Sequence, residues 1–480
     1  MSESQDTLKS RLEELKCHFT WGLQEKDFEI KELEERLKIQ LVYLNKNLKG
    51  RLYNLLAYIN HLKNNYTEAI ANLQKAEDIL QESNVSETDM KYLLTFSNYA
   101  WVYYCLNNSE RSKLFIDKIN TIHTQSKELK DLVQSETYGE EGWALLKCCG
   151  QYLGKAKDCF EKALKGNPDD PEWNTEMATV VYRLEGFRGR ECTDLKCLSF
   201  QLLERAVKLD PKNSVIKVLL ALKLQELKKH EDAMKHIKGA LELTPDLPYM
   251  LRYVAKFYRR AGKFEEAIKL LKKAVNITPT SGFLHYQLGL CYRQMLIHKK
   301  KTGRGNYRGP HMQEIRDLTE KAIFNFEMVL EVKRTCLHVH FDLADMYSRS
   351  DQHKKAEETY KKATELTTIP EYEQQQAHLH YGTFLEKWKK SENEAVEQYK
   401  EGLRIPEQNK HREECETSLR RIANHRVERN PRDASGLALL GFISKENQDK
   451  SNAMKWYEKA LKSDPSNDEY LSVLFDLKLK

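Results

Sequence analysis

Apolar and small residues recur along the chain at a fixed interval that marks a helical repeat. Pro211, Pro245 and Pro279 follow one another at intervals of 34 residues, and they close the similar phrases RAVKLDP, GALELTP and KAVNITP. A 34-residue period with alanine, an aromatic residue and proline in its second half is typical of the tetratricopeptide helix–turn–helix unit. One such unit cannot bury its apolar face alone, so the pattern predicts a stack of units with a continuous core.

Other stretches of the chain fit the same frame. The unit after Pro279 carries Leu288, Gly289 and Tyr292, which match the L-G-x2-Y phrase of the repeat. Good matches also cover 337–370 and 434–467, and weaker ones cover 54–81, 98–122, 137–168 and 374–406. We therefore predict an all-α fold, a right-handed tetratricopeptide-repeat superhelical solenoid with a closed or nearly closed basic central channel.

The repeat frame divides the chain into four predicted segments. They are capping helices at 1–50, N-terminal and central repeats at 51–248, central repeats with a basic insertion (295–316) at 249–335, and C-terminal repeats at 336–480. The insertion contains HKKKTGRGNYRG without an acidic residue, and this composition predicts a mobile loop or a basic flap.

The stretch YMLRYVAKFYRR, which begins at Tyr249, reads as one helix with a one-sided charge distribution. Arg252, Lys256 and Arg259 lie at i, i+4 and i+7 and share a face, with Tyr249 and Tyr253 beside them. The opposite face is mostly apolar. Because the first helix of each repeat lines the inner surface, we predict that this basic column faces inward.

Inward positions of other repeats carry residues of related chemistry. Tyr286 and Arg293 occupy them in the next unit, and Arg183 occupies one in an earlier unit. Lys147 stands where the repeat pattern calls for a large apolar residue. Since a buried unpaired ammonium is costly, Lys147 indicates either an anion that meets it or a side chain that reaches out to water.

Composition limits the classes of function. The net charge is only +6, so any nucleic-acid binding must come from local clusters of charge. The N-terminal residues show no secretory pattern and the apolar runs are too short to cross a bilayer, so we expect a cytoplasmic protein without a membrane partner. The ten cysteines are then expected to be reduced thiols.

Two functions from different classes fit a basic, aromatic inner surface. Cations can follow phosphates while rings stack on bases, which predicts a site for single-stranded nucleic acid. Alternatively, a tetratricopeptide scaffold with inner lysines and arginines can bind acidic peptides or protein C-termini. Glycine-rich phosphate loops, HExxH and paired CxxC motifs are absent from the sequence, so we expect no enzyme, cofactor or metal.

Several phrases resemble those of one protein family. CHFTW (17–21), NLLAY (54–58), GWALLKC (142–148) and RYVAKFYRR (252–260) are similar to phrases of the interferon-induced proteins with tetratricopeptide repeats. The resemblance implies an antiviral effector that captures the single-stranded 5′ end of viral RNA in a basic tunnel and blocks its translation. Its targets would be 5′-triphosphate RNA and caps lacking 2′-O-methylation, with no DNA partner expected.

The resemblance also implies roles for particular residues. The 5′ phosphates would contact Arg36, Gln40, Lys147, Arg183, Arg252, Lys256 and Arg259; the RNA path would continue past Tyr249, Tyr253, Tyr286 and Gln287, together with the inward Arg293; and Trp143, Leu44 and Thr179 would form the cap pocket.

Two features modify this implication. Tyr457 and Leu461 form a Y-x3-L edge that the resemblance connects with association between family members, although Tyr457 also fits a core position of its repeat. Cap-selective relatives carry an aromatic residue where this chain has Leu153, and another where it has Val215. The first change predicts a weaker penalty for 2′-O-methylated caps, because a smaller side chain crowds the ribose less.

Overall fold

All regular secondary structure in the described part of the chain is helical. The computed structural model describes residues 5–43, 46–83, 85–86, 89–126, 128, 130–187, 194–302, 310–367 and 369–479. These residues contain no β-strand, and contacts divide the chain into an N-terminal unit (1–287) and a C-terminal unit (288–480). The prediction of an all-α fold is confirmed.

The N-terminal unit contains fourteen helices and the beginning of a fifteenth among its described residues. They are α1 (Gln5–Glu13), α2 (Ile30–Tyr43), α3 (Lys46–Leu62), α4 (Tyr66–Glu82), α5 (Leu93–Cys105), α6 (Ser109–Gln125), α7 (Lys130–Cys148), α8 (Leu153–Gly166), α9 (Pro171–Phe187), α10 (Leu198–Leu209), α11 (Ser214–Glu226), α12 (His230–Leu243), α13 (Pro248–Arg260), α14 (Phe264–Ile277) and α15 (Gly282–Thr302).

The C-terminal unit continues from the later part of α15. Its further helices are α16 (Pro310–Val332), α17 (Leu337–Arg349), α18 (His353–Thr364), α19 (Glu371–Phe384), α20 (Glu392–Arg404), α21 (Lys410–Arg429), α22 (Ala434–Glu446), α23 (Lys450–Ser463) and α24 (Asp468–Leu479). A π-helical turn, Leu385–Lys389, follows α19 directly.

Consecutive helices pack in antiparallel pairs, as the 34-residue period predicts. In the N-terminal unit α3 packs with α4, and the pairing continues regularly to α13 with α14. In the C-terminal unit α17 packs with α18, α19 with α20 and α22 with α23. The helix boundaries follow from local chemistry: α13 begins with Pro248 in its first turn, and Gly262 follows its end with a φ of +75°.

Residues 1–50 do not form a repeat of their own, apart from the start of α3. Leu8 and Leu12 of α1 pack with Ala100 and Ile116 of the second helix pair. Phe19 stacks on Trp101 with ring centroids 5.5 Å apart. The predicted segment boundaries themselves stay predictions, and the observed division at residue 287 lies within the predicted segment 249–335.

The basic insertion is described only in part, and its predicted role as a basic flap stays a prediction. Residues 295–302 extend α15 and residues 310–316 begin α16, while 303–309 lie outside the described residues. Lys299 forms an ion pair with Glu314, which joins the two helical extensions. The described part of the insertion is therefore helix rather than a mobile loop, because the apolar positions of both helices continue into it.

Glycines allow close packing inside the helix pairs. A Cβ atom on Gly382 of α19 would lie 2.6 Å from Cε1 of Tyr399 in α20, and Tyr399 is only 1% exposed. Gly239 of α12 has open space at the same position.

No helix in the described ranges is long and apolar enough to cross a membrane.

The contrast between the crowded Gly382 and the open Gly239 predicts opposite effects of a glycine-to-alanine substitution on stability. Gly382→Ala should lower the free energy of unfolding by about 1–3 kcal/mol, because the added methyl group overpacks a fixed ring. Gly239→Ala should raise it by about 0.5–1 kcal/mol, because alanine is the better helix former and meets no atom. Thermal unfolding of both variants beside the parent protein measures the difference. Equal shifts would contradict the described packing of α19 against α20.

Candidate nucleic-acid interface

Helix α13 presents its basic column into a cluster of aromatic rings. The Arg252 guanidinium lies 4.0 Å from the ring centroid of Tyr249 and 4.7 Å from those of Tyr253 and Phe283. Its Nη2 donates a hydrogen bond to the Tyr253 hydroxyl at 3.1 Å. The rings hold the cation by its planar faces, while Leu251 and its neighbours on the other side of α13 are buried in the core.

Three further helices bring cations to the same place. Arg183 of α9 donates to the Tyr249 hydroxyl at 2.5 Å and lies 5.9 Å from that ring. Arg36 of α2 donates to the backbone carbonyl of Lys147 in α7. Gln40 lies one turn after Arg36 and is 9% exposed. Helices α2, α7, α9 and α13 thus converge on one basic cluster, which we define as Arg36, Lys147, Arg183 and Arg252.

Burial makes this concentration of charge costly. Burial lowers the pKa of Arg36; the Glu32 carboxylate opposes this shift, and the positive charges of Arg252 and Arg183 add to it. Burial also lowers the pKa of Lys147, although Glu176 opposes that shift. Cations that have already lost water bind an incoming anion strongly, since little solvent remains to be displaced. The basic cluster can therefore bind a multiply charged anion.

The structure shows that an anion lies beside Lys147, which is one of the two alternatives that its sequence position left open. Its ammonium lies 3.4 Å from the Glu176 carboxylate and 5.3 Å from the centroid of the Trp143 ring. The anion that meets Lys147 in the folded chain is thus Glu176 of α9. Glu176 thus brings a carboxylate to the edge of the basic cluster, and the Glu32 carboxylate acts electrostatically on Arg36.

The pKa of Tyr253 is lowered, in contrast to that of the neighbouring Tyr249, which is raised chiefly by burial. The Tyr253 ring is 6% exposed, and burial alone would raise its pKa. The positive charges of Arg252 and Arg183 outweigh burial and lower the pKa of Tyr253 to about 7. The two guanidinium groups therefore stabilise the phenolate form of Tyr253.

The rest of the column extends along α13. Lys256 donates to the Tyr182 hydroxyl at 3.2 Å, and burial and then Arg260 lower its pKa to about 8. Arg259 donates to the side-chain oxygen of Gln287 at 3.4 Å.

Arg260 does not extend the column. It pairs with Glu226 of α11 at 2.9 Å, and the same carboxylate binds Lys223 at 3.1 Å. Lys223 is 2% exposed and pairs with Glu185 as well. Sequence reasoning missed this buried ion network, because Lys223 stands inside the apolar phrase LLALKLQ without any local signal.

The residues predicted along the RNA path divide between the two units. In the N-terminal unit, Tyr253 and Gln287 are buried, and Tyr249 and Tyr286 are half-buried. In the C-terminal unit, Arg293 is held by Asp345 at 3.0 Å and by Asp342 at 3.7 Å. The predicted role of Arg293 stays a prediction, and its charge is already compensated by two carboxylates of α17.

The residues predicted for the cap pocket are enclosed. Trp143 and Thr179 are each 3% exposed, and the Thr179 hydroxyl donates to the carbonyl of Thr175. Leu44 lies outside the described residues. The Trp143 ring has the Arg51 guanidinium 5.4 Å from its centroid in addition to Lys147. Nothing in the sequence pattern singled out Arg51, which precedes the apolar phrase LYNLLAYI.

The two positions that depart from cap-selective relatives also have defined surroundings. Leu153 is fully buried at the start of α8, whereas Val215 is half-buried in the first turn of α11. Tyr152, the ring next to Leu153, is committed elsewhere, because its hydroxyl bonds to Asp27 and accepts from the backbone N–H of Gln24. The weaker penalty for 2′-O-methylation stays a prediction.

At the C-terminus the two residues of the Y-x3-L edge separate. Tyr457 is 5% exposed and packs against Gly441 and Tyr470, so it belongs to the core of its repeat, as its position in the repeat favours. Leu461 instead lines a groove of about 850 Å³ together with Phe475 and neighbouring residues of α24.

Comparison with known proteins relates the chain to repeat proteins over nearly its whole length. The family model "Tetratricopeptide repeat" matches residues 50–79, 337–368 and 434–467, and the model "Psidin, N-terminal TPR repeats region" matches 191–303. The chain is 39% identical over 457 residues to the antiviral innate immune response effector IFIT1 of Macaca fascicularis, which covers 95% of this chain and 95% of that protein.

Solved structures agree with this relation. An IFIT1 monomeric mutant with Gppp-AAAA gives a TM-score of 0.82 at 38% identity, over 95% of this chain and 99% of that one. The human IFIT1 dimer with PPP-AAAA gives 0.76 at 36% identity over the same shares.

The unusual environment of Tyr253 can be tested without a ligand. Since the neighbouring guanidinium groups favour the phenolate, ultraviolet titration should show one tyrosine that ionises with a midpoint near 7. Tyr253→Phe should remove this phase. Tyr372→Phe is the matched control, because burial raises the pKa of that exposed residue. The absence of any phenolate below roughly pH 9 would contradict the described geometry of the cluster.

Proposed function

The chain belongs to the family of interferon-induced proteins with tetratricopeptide repeats, and we propose that it is an antiviral RNA-binding protein that captures single-stranded 5′ ends of non-self RNA. Its ligands are 5′-triphosphate ends, caps lacking 2′-O-methylation, or both. By holding these ends it denies them to the translation machinery. It acts in the cytoplasm by binding alone, without an enzymatic step.

The basic cluster is the observation that carries this proposal. Four helices direct cations to one place, where Glu176 pairs with Lys147 and Glu32 acts on Arg36, so cations outnumber these two carboxylates. A 5′-triphosphate concentrates several negative charges at the terminus of a chain, which suits such a cluster better than the evenly spaced phosphates of the RNA backbone do. The structures of IFIT1 with PPP-AAAA and with Gppp-AAAA support the same ligand class.

The aromatic residues around the cluster support binding without sequence preference. Tyr249, Tyr253 and Phe283 form a continuous set of rings beside Arg252. Rings stack on every base because each base has a π-face, whereas sequence readout needs hydrogen bonds to base edges. The described site therefore favours recognition of the end rather than of the sequence.

Binding of acidic peptides or protein C-termini is the second candidate. A peptide terminus offers one carboxylate, which a single lysine or arginine can match. The basic cluster holds four half-buried cations, and a ligand with one charge would leave most of them uncompensated. The charge count favours the RNA 5′ end.

The phosphate role of the column can be tested on Arg252 and Lys256. Arg252→Ala or Lys256→Ala should weaken binding of 5′-triphosphate RNA at least about tenfold and equally for all sequences. The slope of log affinity against log salt concentration should fall by about 0.7 for each phosphate contact that is lost on a single strand. Fluorescence anisotropy with short RNAs of equal length measures both quantities.

Arg205→Ala is the matched control for this experiment. Arg205 of α10 pairs with Asp169 at 2.8 Å and is half exposed, away from the cluster. It should leave triphosphate binding unchanged. An equal loss for 5′-hydroxyl RNA in the Arg252 variant would reduce that residue to a general backbone contact, and tighter binding of an acidic peptide than of any RNA would favour the scaffold function.

Association with family members is a further part of the proposed function. Leu461, Leu471 and Phe475 line the C-terminal groove, and the last two are 56% and 63% exposed. An apolar surface of this kind is typical of an interaction site. The solved human IFIT1 dimers support association within the family.

The C-terminal groove generates its own prediction. Leu461→Glu should abolish co-elution with a family partner in size-exclusion chromatography while RNA binding is retained, because the carboxylate charges an apolar surface. Leu114→Glu, at an exposed leucine of α6, is the control and should leave association intact. Tyr457→Glu is unsuitable here, since it would place a charge in the core. Co-elution of the Leu461 variant would show that the groove is not the interface.

A further inference from the structure

The Trp143 ring is covered by a cation that the basic cluster does not use. Arg51 of α3 places its guanidinium 5.4 Å from the centroid of the ring, and the Lys147 ammonium lies 5.3 Å from the same centroid. With these two groups beside it, Trp143 is only 3% exposed. No face of the ring is open to a ligand in this state of the protein.

Arg51 is anchored by carboxylates of two other helices. It pairs with Glu140 of α7 at 2.7 Å and with Glu172 of α9. The Arg51 side chain is 14% exposed, and those of Glu140 and Glu172 are 22% and 32% exposed. Three helices thus hold the guanidinium beside the ring, and its removal would leave two partly buried carboxylates without their partner.

We propose that Arg51 determines the ligand specificity of this site: it occupies the stacking position beside Trp143, so that the site accepts uncapped 5′-triphosphate ends in preference to capped ends. This inference rests on the proposed capture of RNA 5′ ends and deepens it. The triphosphate needs only the basic cluster, whereas a cap adds a guanine that has to be placed beyond the phosphates.

The physical reason is competition for one aromatic face. A guanine stacks on tryptophan only if the ring offers a free face, and here the protein's own guanidinium lies over the ring, 5.4 Å from its centroid. To admit the guanine, Arg51 has to leave both carboxylates, which costs the site its ion pairs. A group that blocks one ligand without touching the other is an element of specificity by exclusion.

The experiment compares two RNAs of the same sequence on three proteins. The parent chain, Arg51→Ala and the control Arg205→Ala are titrated with PPP-RNA and with Gppp-RNA. We expect the parent chain and the control to bind PPP-RNA at least about tenfold more tightly than Gppp-RNA, and Arg51→Ala to reduce this ratio about tenfold by gaining affinity for the cap.

A second variant keeps the test decisive if Arg51→Ala does not fold. Arg51→Met combined with Glu140→Gln and Glu172→Gln removes the cation together with both carboxylates, so no unpaired charge is left. A folded variant whose ratio equals that of the parent chain would overturn the inference.

The remaining outcomes separate the two levels of the proposal. Equal binding of PPP-RNA and Gppp-RNA by the parent chain would overturn the role of Arg51 while the capture of 5′ ends stands. Failure of the parent chain to bind either RNA would instead overturn the proposed function itself. Gain of cap binding in the Arg51 variants, with none in Arg205→Ala, supports the inference.

Discussion

The N-terminal unit depends on one constraint. It contains a cluster of half-buried cations that have few carboxylates to pair with. Arg36, Lys147, Arg183 and Arg252 come from four helices, and Glu176, which pairs with Lys147, and Glu32, which acts on Arg36, offset only part of their charge. A protein interior tolerates such charge only when other groups replace water. Here tyrosine faces and hydroxyls take that place, and the positive charges of Arg252 and Arg183 outweigh burial and lower the pKa of Tyr253 to about 7. The cluster is therefore prepared for an anion before any ligand arrives.

The placement of carboxylates decides which cations remain available. Glu226 forms an ion pair with Arg260, which therefore does not join the basic column of α13. Asp345 forms an ion pair with Arg293 in the C-terminal unit. Glu140 and Glu172 hold Arg51 beside the Trp143 ring instead of leaving it in the basic cluster. Similar cationic side chains thus take three proposed or observed roles: binding of a ligand, pairing with a carboxylate, and exclusion of a guanine from the Trp143 ring. The difference lies in their neighbours, because an ion pair at close range outweighs the weaker pull of a distant ligand.

The two ends of the repeat series are finished differently. At the N-terminus α1 and the residues after it cover the first helix pairs with apolar side chains and stacked rings. At the C-terminus α24 packs on α23 but keeps Phe475 and Leu471 exposed beside Leu461. The terminal repeat of a stack needs a polar outer face to stay soluble. Where its outer face is apolar instead, another chain can cover the exposed side chains. The C-terminal groove is thus the surface that we propose for association with another chain.

The sequence by itself determined the all-α repeat fold and the basic column, because both depend on local spacing. A period of 34 residues and the i, i+4, i+7 positions of Arg252, Lys256 and Arg259 need no knowledge of distant contacts. Only the tertiary structure decided the neighbours of each charge: Tyr249 for Arg183, Glu226 for Arg260, Trp143 for Arg51, and the core for Tyr457. These partners are tens of residues apart or more in most cases. Their proximity follows from how helix pairs stack, and a stacking geometry is set by the sum of all packing contacts rather than by any one phrase of sequence.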